Sequence, residues 1–184
     1  MYEFKIKNTR LKIKLGDITD EETDVIVNAA NSSLMGGRGV DGAIHKKGGP
    51  SILAECIEIR KTLPMGLPTG EAVMTNSGLL KAKRIIHTVG PVWNGGSHGE
   101  PELLKNTYFN SLLMAKRNSL KTISFPSIST GAFGYPVKLA APTALNAIAD
   151  FVYSEDSIDT IFLVLFHESD LSEYVNAAKN LFKN

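Results

Sequence analysis

The 184-residue sequence predicts a three-layer α/β/α domain with a mixed sheet. Short, β-branched apolar runs alternate with segments of helical period along the chain. Two of those runs, Val25–Val27 and Ile161–Phe166, are wholly apolar, as in strands covered on both faces. Glycine-bearing loops follow the ends of such runs, which is where ligands sit in open α/β sheets. The length fits one unit over 1–184, large enough to bury roughly 70% of the surface that the unfolded chain exposes.

The elements follow in order. Tyr2 to Lys14 alternates through Phe4, Ile6, Leu11 and Ile13, predicting a strand at or near the sheet edge, with Asn8, Thr9 and Arg10 as a turn or bulge. Gly16 ends it. Val25–Val27 is a buried strand, and Ala43 to Lys47 has a short helical pattern. Ser51 to Leu63 predicts a covering helix with Ile52, Ile59 and Leu63 on one face, and Cys56 within it as packing. Strands follow at Glu71–Asn76 and Arg84–Val89, the second enclosing His87 as a core histidine. Asn94–Gly99 reads as a polar, mobile loop with His98 exposed. Pro101 to Asn118 is helical through Leu104, Tyr108, Leu112 and Ala115. Thr122–Phe125 is a strand, Val137–Val152 a helix, Thr160–Phe166 a central strand, and a last helix starts at Asp170 or Ser172.

Chemistry concentrates after Val27. Asn28, Ala29, Ala30 and Asn31 lead into a loop holding Gly36, Gly37 and Gly39, then Asp41. Glycines let backbone N–H groups approach an anion closely. Asn31 offers a donor and an acceptor, suited to a ribose hydroxyl pair. Asp41 is either a base or the N-cap of the helix it precedes, and Asn28 ties down the strand end. The loop matches neither G-x-x-x-x-G-K-[ST] nor G-x-G-x-x-G. A second loop, Pro126 to Pro136, repeats the arrangement with Ser127, Ser129, Thr130, Gly131, Ala132, Phe133 and Gly134, and two such loops can grip a diphosphate from both sides. Asp17 can accept from an exocyclic amine or form an Asx turn. Phe166 stands where an aromatic can stack on a purine, and Phe133 is a pocket wall or a core aromatic.

NAANSSL followed by GGRGVDGAIH, with LGDIT (Leu15–Thr19) upstream and SISTGAFGYP (Ser127–Pro136) downstream, resembles the macrodomain family, in its MacroD-like, ADP-ribose-hydrolysing branch. The similarity runs from Leu15 to about Phe166 and implies a single macrodomain. It implies adenine bound by Asp17 and the Ile18 backbone and stacked on Phe166. The diphosphate falls to the backbone of Ser129, Thr130, Gly131, Ala132 and Phe133, with Phe133 also lining the distal ribose. Asn31 fixes the ribose hydroxyls, N–H groups around Gly37, Gly39 and Val40 hold them at reaction distance, and Asp41 orients or deprotonates water. One departure stands out: a run usually of four glycines reads Gly36, Gly37, Arg38, Gly39 here.

Composition narrows the partners. The apolar share is 43% and the charged share 21%, and twenty basic against nineteen acidic residues leave a net charge of +1, so nucleic acid and anionic membranes are not indicated. One cysteine excludes an internal disulfide and a thiolate zinc cluster within one chain, and fits a cytoplasmic setting. The N-terminal residues read as a strand rather than a signal peptide, and no run of about twenty apolar residues occurs. No metal or cofactor is called for, and no histidine stands near the loop serines to form a triad. The resemblance therefore implies direct attack by water on an ADP-ribosyl ester, with O-acetyl-ADP-ribose or an ADP-ribosylated protein as substrate. A reader module that binds ADP-ribose without turnover, and a phosphatase acting on ADP-ribose 1″-phosphate, are the alternatives.

Overall fold

The computed structural model describes residues 1–182. Strands form where apolar and β-branched residues cluster: β1 (Tyr2–Ile6), β2 (Thr9–Leu15), β3 (Val25–Ala29), β4 (Ala72–Asn76), β5 (Arg84–Thr88), β6 (Thr122–Phe125) and β7 (Thr160–Leu165). Among the described residues they make one seven-stranded sheet in the order β1-β2-β7-β6-β3-β5-β4. The five inner strands run parallel; the edge strands β1 and β4 are antiparallel to their neighbours. The sheet is therefore mixed, and the carboxyl ends of five strands open on one side.

Successive side chains on a strand face opposite ways, so each inner strand feeds two cores. Val25 and Val27 of β3 join the larger core and Ile26 the smaller; Ile86 and Ile85 of β5 divide in the same way. Helices α1 (Gly39–Gly48) and α2 (Pro50–Lys61) cover the smaller core with Ile44, Ile52 and Cys56. Helices α3 (Glu100–Arg117), α4 (Val137–Ser154) and α5 (Glu168–Leu181) cover the larger with Leu104, Tyr108, Ala144, Ile148 and Tyr174. Each fully buried Leu or Ile contributes about 1.5–3 kcal/mol. The three expected layers are present.

Several boundaries depart from the sequence reading. Ile6 pairs with Thr9, so the first turn is Lys7–Asn8, with Lys7 at φ 50, and not Asn8–Arg10. Helix α5 begins at Glu168 after the cap His167, not at Asp170 or Ser172. Helix α1 begins at Gly39, four residues before Ala43. Glycine is a poor helix former, which hides that start in the sequence. Asp41 is thus the third residue of α1, inside the helix, and Arg38 holds the cap position without a side-chain cap bond. The N-cap reading of Asp41 is overturned.

The loop at Asn94–Gly99 is tied rather than free. Buried Glu100 accepts backbone N–H bonds from Asn94 (2.8 Å), Gly96 (3.0 Å) and His98 (2.6 Å). Burial alone would raise that carboxyl; the surrounding N–H donors overcome it and hold the group at about 2. The same segment reaches the cleft, because Trp93 N–H donates to the Phe133 carbonyl at 2.8 Å. His98 is exposed, as expected.

Candidate active site

Two lobes of about 470 Å³ each lie along the carboxyl ends of the parallel strands and share Gly39, Val40, Ser127 and Gly131 in their walls. The first lobe is lined by Asp17, Ile18, Thr130 and Phe166 as well. The second is lined by Asn31, Gly37, Asp41, Ser129, Ala132 and Phe133. Every residue singled out in the sequence for adenine, diphosphate, ribose or water lines one lobe or the other.

The first lobe begins where β2 stops. Asp17 Oδ1 accepts from Thr19 N at 2.9 Å and from the Thr19 hydroxyl at 2.6 Å, capping the single 3-10 turn Ile18–Asp20. The Asx-turn role is thus realised on residues 18–20, and the same carboxylate still borders the lobe. The Thr19 hydroxyl bond holds its carboxyl below the ordinary value. Phe166, just past β7, is 70% exposed, with the His167 ring set edge-to-face against it at a centroid distance of 5.2 Å. His167 beside it is exposed too.

The second loop is shaped by Ser129, a non-glycine residue at φ 67, a conformation that L side chains adopt only under constraint. A Cβ on Gly90 would lie 2.1 Å from Ser129 Oγ, so the two segments meet only because residue 90 has no side chain. Thr130 Oγ1 donates to the Ser127 carbonyl at 3.0 Å and folds the loop on itself. Phe133 is half-buried and borders the second lobe, which excludes the core-aromatic reading.

Asp41 is the buried carboxylate that lines the second lobe. It is 3% exposed. Its Oδ1 accepts from Asn28 Nδ2 at 2.7 Å and lies 3.4 Å from His45 Nε2, one helical turn along α1. Its Oδ2 has no partner among the described residues. Burial raises the Asp41 carboxyl above the ordinary carboxylate value, opposed by the Asn28 bond and by His45. A buried carboxylate with one oxygen held and the other free is equipped to take a proton. Asn31 stands across Gly37 from it: a Cβ on Gly37 would be 2.6 Å from Asn31 Nδ2 and 3.0 Å from Asp41 Oδ2. Arg38 borders this lobe and its guanidinium makes no hydrogen bond or ion pair among the described residues.

Asn28 does more than tie down its strand end, the one role the sequence suggested for it. Besides Asp41 it touches His87 Nδ1 at 3.0 Å, tying β3 to α1 and β5. His45 escaped the sequence reading; the signal was its i+4 spacing from Asp41 on one helix face. His45, Cys56 and His87 place ligand atoms within 4.8 Å of one another. Their chemistry does not suit a metal, however. Both nitrogens of His87 already have partners, so neither is free to ligate, and burial, then His45, lowers the ring to about 3 and keeps it neutral. Burial, Asp41 and Glu55 push the Cys56 thiol up to about 11, so it stays protonated and packs in the core, as expected.

A cleft across the ends of parallel strands, walled by two glycine-bearing loops and holding one buried carboxylate, defines a ligand-binding α/β/α domain of the nucleotide-accepting kind. The Macro domain family model matches residues 27–144. A Macro domain-containing protein of Caldanaerobacter subterraneus is 51% identical over 174 residues, covering 95% of this chain and 98% of that protein. A protein of Escherichia coli K12 named O-acetyl-ADP-ribose deacetylase is 45% identical over 166 residues, covering 90% of this chain and 93% of its own length. The structure of an Oceanobacillus iheyensis macrodomain mutant with ADPR superposes at a TM-score of 0.95 and 47% identity, over 100% of this chain and 99% of that one. The chain belongs to the Macro domain family.

Proposed function

We propose that this protein is an ADP-ribose-binding hydrolase that deacetylates O-acetyl-ADP-ribose and also releases ADP-ribose from acidic side chains of proteins. On this reading residues 1–184 work as one macrodomain, in the cytoplasm. Adenine lies in the first lobe between Asp17, the Ile18 backbone and Phe166. The diphosphate rests on N–H groups of Ser129–Phe133 and of the Gly37–Val40 loop. The distal ribose reaches the second lobe beside Asn31, Phe133 and Asp41. The observation that carries the reading is the free, buried Oδ2 of Asp41, in the same lobe as Asn31.

The chemistry follows from that oxygen. Water placed by Oδ2 attacks the ester carbonyl carbon while the carboxylate takes its proton. Loop N–H groups stabilise the developing oxyanion. Collapse breaks the bond to the ribose oxygen, which takes the proton back, leaving ADP-ribose and acetate.

Asp41→Asn tests the assignment, because an asparagine keeps the carbonyl oxygen that accepts from Asn28 but is no base. ADP-ribose affinity by calorimetry should stay within about threefold, while deacetylation falls by about 10²–10⁴-fold, the range general acid–base catalysis supplies. Undiminished turnover would refute the role of Asp41. A wild-type protein that binds ADP-ribose and never turns over the acetyl ester is a reader instead.

A further inference from the structure

We propose that His87 is a positioning residue for the Asp41 carboxylate, acting through the Asn28 amide and itself set by Thr75. The kinetic part of this proposal rests on the function above; the structural part stands apart from it.

The direction of each hydrogen bond can be worked out from one end. An ionised carboxylate accepts and does not donate, so the Asn28 atom facing Asp41 Oδ1 at 2.7 Å is its NH₂. The same nitrogen faces His87 Nδ1 at 3.0 Å, so Nδ1 is the bare, accepting nitrogen of the ring. The ring proton is therefore on Nε2, which lies 2.8 Å from Thr75 Oγ1 and donates to it. The Thr75 hydroxyl in turn donates to the Asn76 carbonyl at 2.9 Å. The chain runs from β4 through β5 and β3 to α1, and Thr75, His87, Asn28 and Asp41 are all buried.

Two acceptors on two different elements fix the plane of the Asn28 amide. Asn28 Oδ1 has no partner among the described residues, so no third bond holds the amide if His87 is lost. A histidine serving only as filler has no need of this one tautomer. Here every polar atom of the ring is engaged, and the far end of the relay occupies Asp41 Oδ1, leaving Oδ2 beside Gly37 without a partner among the described residues. The other titratable group facing Asp41 on its own helix is His45, and across the smaller core it is Cys56.

The test combines kinetics with spectroscopy on the full chain. Imidazole ¹⁵N spectra should show His87 as the neutral Nε2–H tautomer; a ring protonated at Nδ1 overturns the proposal whatever the activity. In His87→Leu, kcat on O-acetyl-ADP-ribose should fall about tenfold, the loss expected when one hydrogen bond of the transition state is misplaced. KM and ADP-ribose affinity should stay within about twofold. The acid limb of kcat, and the ¹³C titration of the Asp41 carboxyl, should move to higher pH, because the Asn28 bond lowers that group and is loosened. His87→Asn, whose amide oxygen can sit where Nδ1 was, should recover most of kcat.

A folded His87→Leu with undiminished kcat overturns the proposal, as does a variant losing kcat and affinity together with no recovery in His87→Asn. If His87→Leu does not fold, Thr75→Val decides: the Asp41 titration and kcat should both shift, and an unchanged pair overturns it. A wild type without turnover counts against the proposed function alone, since tautomer and Asp41 titration still decide the relay.

Discussion

Replacing Gly37 by alanine sets a methyl group between Asn31 and Asp41, the two side chains to which the proposed function assigns the ester. The backbone there is not in the left-handed region, so no conformational strain enters. The cost is steric. The new Cβ lies 2.6 Å from Asn31 Nδ2 and 3.0 Å from Asp41 Oδ2, where ordinary contact begins at 3.4 Å, so Asn31 must yield by 0.8 Å (3.4 − 2.6) and Asp41 by 0.4 Å (3.4 − 3.0). Asp41 is the harder to move, being held by Asn28. Displacements approaching 1 Å at a reacting centre cost on the order of 10²-fold in rate. Gly37 is exposed, and alanine at a compatible φ stabilises by about 0.4–1 kcal/mol through the unfolded chain. Gly37→Ala should therefore lose about 10–100-fold in kcat/KM for O-acetyl-ADP-ribose with an unchanged or raised Tm. Deacetylation kinetics, calorimetry with ADP-ribose and a melting curve read all three. Full activity in a folded variant would refute the placement of the reacting ester between Asn31 and Asp41.

Phe166→Ala removes an exposed aromatic face and should weaken ADP-ribose binding by about 1–3 kcal/mol, with little change in Tm, as read by calorimetry and melting. Arg38→Gly removes an unpaired surface cation beside an anionic ligand. Affinity at low salt should fall no more than about fivefold, and the difference should vanish at high salt, which a salt titration of Kd checks. Glu100→Gln replaces an acceptor-only carboxylate with a group that also donates, toward three N–H groups that need acceptors. Because folding lowers the Glu100 value from 4.5 to about 2, its contribution is full above pH 4.5 and lost as pH falls toward 2. The variant should melt below the wild type at pH 7, and the gap should close near pH 2.

The apolar strands were legible because their patterns have one physical reading. Val25–Val27 and the run into Phe166 read as buried strands from their short, branched apolar runs, and their ends feed loops on one side because the strands lie parallel. His87 and Cys56 were legible as core because they sit among apolar neighbours. What escaped were arrangements set by partners distant in sequence. Glycines masked the start of α1, so a cap stayed open beside the base as a reading of Asp41, whose carboxylate in fact turns to Asn28, thirteen residues back. Asn28 and His87 are 59 positions apart, and no local pattern joins them. Glu100 followed a glycine-rich stretch that read as unrestrained, yet its carboxylate organises that stretch. In the two glycine-bearing loops, by contrast, the residues were named by the macrodomain resemblance, and they border the two lobes.

The unequal division of the interior has a thermal corollary. Asp41 is mounted on α1, whose inner face rests on the thinner of the two apolar slabs, while three longer helices clamp the opposite side. Partial openings favour the region with less buried apolar material. On warming, α1 and α2 should loosen while the rest stays closed, so the molecule falls silent before it melts.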